Sequence, residues 1–128
     1  MNHKRNLEIS RELLLRAEAM PFESSDDFFT PFIDLEPAPT EVEAYHLVLL
    51  RDAGFIEGKH AEYGTFRITN AGHDYLDTVR DEEVWRKTKS LVGAAGTYTL
   101  SIVAEVAKSI ASKKITTALA AALTSYSV

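Results

Sequence analysis

Residues 39–69 read PTEVEAYHLVLLRDAGFIEGKHAEYGTFRIT, and the order of signals within them decides the fold. Thr40 followed three residues later by Glu43 is a capping box, in which hydroxyl and carboxylate satisfy backbone N–H groups left open at a helix start. A helix is predicted from there to about Ala53. Gly54 supplies its stop, because a residue without Cβ readily takes the left-handed conformation found just past helix ends. Beyond it, Phe55-Ile56-Glu57-Gly58, a polar turn from Lys59 to Gly64, and Thr65-Phe66-Arg67-Ile68-Thr69 are predicted to form a β-hairpin.

Upstream, residues 5–19 place Leu7, Leu14 and Leu15, with Ile9 and Leu13 beside them, at helical spacing against a charged face. Pro21 ends that pattern, and residues 22–27 read as a loop. Residues 30–35 are aromatic and β-branched and predict a short strand, which Pro31 and Pro37 assign to a sheet edge. Downstream, Thr69 or Asn70 caps a helix carrying Ala71, Tyr75, Leu76 and Val79, which continues after a kink near Arg80-Asp81 through Val84, Trp85 and Leu91. Gly93-Ala94-Ala95-Gly96 breaks the chain. A tail follows with Leu100, Val103, Ala107 and Ile110 on one face. Lys113-Lys114 marks a joint, after which Ile115, Ala118, Leu119, Ala122 and Leu123 resume the stripe, so the tail is a helical hairpin or one bent helix.

Composition narrows the function classes. The 128 residues are 45% hydrophobic and 26% charged, with a net charge of −5 and no cysteine. That is an ordinary globular balance, and it excludes disulfide staples, cysteine-rich zinc sites and cysteine nucleophiles. No leader-like apolar stretch opens the chain, and no run approaches the ~18 apolar residues that a membrane span takes. A cytoplasmic location without membrane contact is expected.

Three motifs in succession carry a resemblance. Tyr45-His-Leu-Val-Leu-Leu-Arg-Asp-Ala-Gly-Phe-Ile-Glu57, then Arg67-Ile-Thr-Asn-Ala-Gly-His-Asp-Tyr-Leu-Asp77, then Arg80-Asp-Glu-Glu-Val-Trp-Arg-Lys87 resemble an uncharacterised domain family of bacteria and their prophages, over about residues 4–90. The first motif is also similar to the recognition-helix region of winged-helix repressors, which implies a related fold and DNA binding as one use of it. The expected fold class is therefore mainly α with a small β-hairpin: a winged-helix-like domain over 1–92, followed by an alanine-rich helical tail over 93–128.

The residues argue against reading DNA. Phosphate contacts need Lys and Arg, yet the interval between Arg16 and Arg51 holds none, while Glu18, Glu23, Asp26, Asp27, Asp34, Glu36, Glu41 and Glu43 fall inside it. With Leu47 and Leu50 facing the core, a helical step of about 100° points Glu41, Tyr45, Val48, Leu49 and Asp52 outward. That acidic and apolar face suits another protein. The positioning helix of a helix-turn-helix also lacks room, because the interval from Met20 to Thr40 holds four prolines and a candidate strand. The alternative DNA contacts are His46, Lys59, His60 and Arg67.

From Leu91 to Val128 the only charges are Glu105, Lys108, Lys113 and Lys114, a density low enough to require burial on more than one side. The tail packs on the core, on its own copy or on another protein, with Leu100, Val103, Ala107, Ile110, Leu119 and Leu123 as the oligomerisation candidates. Trp85, Tyr75 and Tyr63 read as packing residues, and His60 with Glu62 lacks a third metal ligand. No nucleophile–base signature and no phosphate loop is visible. The expectation is a non-enzymatic protein-interaction module without cofactor, self-associating as a homodimer or meeting another protein; a DNA-binding transcriptional regulator is the alternative.

Overall fold

A computed structural model describes residues 4–23, 31–95 and 99–126. These form five α-helices, a 3-10 turn and a three-stranded antiparallel sheet. The chain divides into two compact units, Met1–Leu76 and Asp77–Val128.

In the first unit, α1 (Leu7–Ala19) opens on Asn6, whose Oδ1 accepts from the N–H groups of Glu8 at 2.9 Å and Ile9 at 3.3 Å. Leu13, Leu14 and Ala17 form its buried face. β1 (Ile33–Asp34) follows, and then α2 (Glu41–Asp52). The capping box is present: Thr40 Oγ1 accepts from Glu43 N–H at 3.2 Å, and Glu43 Oε1 accepts from Thr40 N–H at 3.0 Å. α2 packs on α1 and buries Leu47 and Leu50 completely. Gly54 ends it with φ of +82°, as its lack of Cβ permits.

β2 (Ile56–Glu57) and β3 (Thr65–Ile68) pair antiparallel with Ile56 opposite Ile68. β1 pairs with the other edge of β3, Ile33 opposite Phe66, so the strand order is β1-β3-β2. The strand expected over residues 30–35 is thus an edge strand of two residues, with Thr30 and most of the loop expected at 22–27 outside the described residues. The described parts of the interval from Met20 to Thr40 hold strand and bridge but no helix.

α3 (Asn70–Val79) starts beneath the hairpin. Thr69 is its cap: its Oγ1 accepts from Gly72 N–H at 3.1 Å and donates to Gly54 O at 2.5 Å. Gly72 lies so close to the Phe55 carbonyl that a Cβ there would sit 2.0 Å from that oxygen.

The second unit contains α4 (Glu82–Ala95) and α5 (Leu100–Tyr126), packed on each other. The expected kink near Arg80-Asp81 is a full break: α3 stops at Val79, and Asp81 Oδ1 caps α4 by accepting from Glu83 and Val84 N–H at 2.9 and 3.1 Å. α4 buries Val84, Trp85, Thr88 and Val92 along one side. The buried Thr88 hydroxyl donates to Val84 O at 2.7 Å.

The break expected at Gly93-Ala94-Ala95-Gly96 falls at the end of that motif: α4 runs through Gly93 to Ala95 and the next helix starts at Leu100, with Gly96 outside the described residues. Of the two forms expected for the tail, the single helix is the one found; the joint expected at Lys113-Lys114 is corrected, because α5 is continuous through both lysines. Lysine is a good helix former, no Gly or Pro interrupts 100–126, and Lys114 is tied to Asp81 at 2.6 Å and Glu83 at 3.5 Å. Among the described residues, no helix is long and apolar enough to cross a membrane.

Candidate interaction surfaces

The outward positions of α2 are unequal. Glu41 and Asp52 are exposed, whereas Tyr45, Val48 and Leu49 are half-buried. His46 is 1% exposed. Its Nε2 accepts the Asn6 N–H at 2.9 Å, which places the proton on Nδ1 for donation to Val42 O at 2.8 Å. Both ring nitrogens are therefore occupied in joining the entry of α1 to α2. The DNA-contact reading of His46 is corrected accordingly: the ring is closed to any external ligand.

The arginines around α2 and the hairpin are engaged by acids of the same unit. Arg16 meets Glu43 at 2.6 Å and the Pro37 carbonyl at 3.0 Å. Arg51 reaches from α2 to Glu62 at 3.1 Å and Gly58 O at 3.2 Å, pinning the hairpin turn. Arg67 pairs across the strands with Glu57 at 2.9 Å. The Thr40 N–H, with the Arg16 guanidinium beside it, holds the Glu43 carboxyl below the usual carboxylate range against the opposing effect of burial.

The exposed groups of the hairpin tip are Lys59, His60 and Tyr63. Tyr63, expected to pack, is 74% exposed because it ends the 3-10 turn Ala61–Tyr63, where Gly64 at φ +95° turns the chain away. A cleft of about 250 Å³ lies beside β3, with walls including Ala17, Met20, Ile33, Ile68, Arg67 and His73. Arg67 Nε is buried at its position with no hydrogen-bond partner among the described residues. Among the described residues, no group of three or more His, Asp or Glu side chains could hold a metal ion.

α5 divides the oligomerisation candidates. Val103 and Ala107 are fully buried on the stretch that packs with α4, and Leu100 and Ile110 are half-buried. Val103 and Ala107 thus serve packing within the chain and are closed to a partner. Leu119 and Leu123 are 57% and 60% exposed, and Ile115, four residues before Leu119, is 67% exposed. From Ser112 to Ser125 every residue is exposed. The base of this segment is anchored by the Lys114–Asp81 pair, in which each partner favours the other's charged form. Sequence reasoning placed the whole helix in one stripe; it missed the division because the length of α4 alongside decides it.

A bacterial relative from Haemophilus influenzae, described as "Uncharacterized protein", is 28% identical over 124 residues, covering 88% of this chain and 98% of its own length. No solved structure matches significantly. A family model described as "Hypothetical protein (DUF2513)" matches residues 4–98, and with most of its length covered by that match the chain belongs to this family.

Proposed function

We propose that the chain is a non-enzymatic, self-associating protein-interaction module of a bacterial or mobile-element system, cytoplasmic, with a core of winged-helix type and the outer half of α5 as its contact surface. The observation that carries this reading is the row Ile115, Leu119 and Leu123, each more than half exposed on one side of a helix. Burying a side chain of this size contributes about 1.5–3 kcal/mol, so leaving three in one row in water is costly unless another surface covers them. The β1-β3-β2 order around a helix, glycine stop and hairpin supports the winged-helix comparison.

That comparison also keeps the DNA-binding regulator as the second reading. Charge weighs against it. The chain carries −5 overall, and Arg16, Arg51 and Arg67 already face carboxylates. Phosphate binding would have to displace those acids. Lys59 and His60 at the hairpin tip leave too little positive charge for the several phosphate contacts that specific DNA binding takes.

A mobility-shift assay of the full chain with random duplex at low salt separates the two readings. No retention is expected. Strong retention, weakened by Lys59→Ala and Arg67→Ala, would overturn the interaction-module reading.

A further inference from the structure

We infer that His46 is an acid-sensitive latch, which fastens the entry of α1 to α2 while its ring is neutral and releases it when the ring takes a second proton. The ring is fixed from both sides: Nε2 accepts the Asn6 N–H at 2.9 Å, and Nδ1 donates to Val42 O at 2.8 Å. A protonated imidazole has two donors and no acceptor. Its Nε2–H would face the Asn6 N–H, donor against donor, so that bond must open. Asn6 lies on the outside of the fold and leaves without disturbing the core. With it goes the cap that its Oδ1 gives to Glu8 and Ile9 N–H, which frays the first turn of α1.

No neighbour offsets the added charge. The ring is 1% exposed and makes no ion pair among the described residues. From α2 itself, Tyr45 meets it edge-on at 5.9 Å, and Glu43, about one turn earlier, is held by Thr40 and Arg16. The elements packed on α2 bring charges that are engaged elsewhere: from α1, Arg16 on Glu43, and Glu8 and Arg11 acting on Tyr75; from the 3-10 turn, Glu62 on Arg51; from β2, Glu57 on Arg67. Lys4 and Arg5, just ahead of Asn6, are exposed and of the same sign as the protonated ring. An unpaired charge in so closed a place is costly, whereas opening lets water meet both the ring and the Asn6 N–H. The closed latch requires the neutral ring and the open one admits either form. Opening is thus linked to uptake of one proton: the contact is present at neutral pH and is lost as pH falls through the range of about 8 to 5 in which imidazole ordinarily changes charge.

Hydrogen exchange in the full chain, followed by NMR across that pH range and corrected for the intrinsic exchange rate, tests the latch. The Asn6 amide is expected to lose protection on acidification, by up to about tenfold per pH unit at the acid end. The Gly72 amide, bonded to the Thr69 hydroxyl with no titrating group involved, is expected to keep its protection. His46→Gln retains a donor and an acceptor but cannot titrate, so Asn6 protection should stay constant in it. Asn6 protection that stays level in the wild type, that falls in step with Gly72, or that falls equally in His46→Gln would overturn the latch. The comparison of the two wild-type amides decides the matter even where the variant fails to fold.

Discussion

Replacing His46 tests whether the first unit is held together as described. The ring is 1% exposed and makes two hydrogen bonds, one of them across 40 residues of sequence to the Asn6 N–H. His46→Phe keeps most of the volume but removes both bonds, a loss of about 1–2 kcal/mol. His46→Ala adds a cavity and raises the loss to about 2–4 kcal/mol. For a unit the size of Met1–Leu76, each kcal/mol lowers Tm by about 4–8 °C, so His46→Phe should melt about 4–16 °C early and His46→Ala earlier still. Thermal denaturation followed by circular dichroism reads both. A His46→Ala variant that melts within about 2 °C of the wild type would refute the reasoning, and would return this histidine to a surface role on α2.

Three further outcomes follow from the same unit. Tyr75 stacks on Phe55 at 4.8 Å, but its buried hydroxyl has no hydrogen-bond partner among the described residues, and burial pushes its pKa far up; Tyr75→Phe should be neutral or stabilising by up to about 1 kcal/mol in urea unfolding. Gly72→Ala forces a methyl against the Phe55 carbonyl and should cost about 1–3 kcal/mol or more, read as a lower urea midpoint. Glu43 has a folded-state pKa below its ordinary value, so its ion pair with Arg16 stabilises above the carboxylate range and the contribution is lost as pH falls through the folded pKa. Glu43→Gln should therefore be less stable by about 0.5–1 kcal/mol at pH 7, and the gap to wild type should close as pH falls below the ordinary carboxylate range and through the lowered folded-state pKa.

What could be read from residues alone was the chemistry contained within one turn of chain. Thr40 with Glu43, Gly54, and the strands on either side of the 59–64 turn carry their own instructions, and each element forms where those instructions place it. Long-range approach carries no such mark. Gly72 is required because Phe55 crosses over it, and His46 is buried because the entry of α1 lies against α2, facts that no local spacing records. Lys113-Lys114 was misleading for a different reason: charge interrupts an apolar stripe without interrupting a helix, and here one lysine is drawn to Asp81. The contact surface was half legible. The apolar period along α5 was visible, but only the end of α4 near Lys114 separates the buried Val103 and Ala107 from the exposed Leu119 and Leu123.

Sedimentation velocity of the full chain over a micromolar concentration series, beside Leu119→Glu, tests the central claim most directly. Leu119 is 57% exposed, so the glutamate leaves the fold intact while placing a charge in the middle of the exposed apolar row. The wild type is predicted to shift from monomer to dimer as concentration rises, and Leu119→Glu to remain a monomer throughout. Equal association by both proteins, or a wild type that stays monomeric at every concentration, would contradict the account.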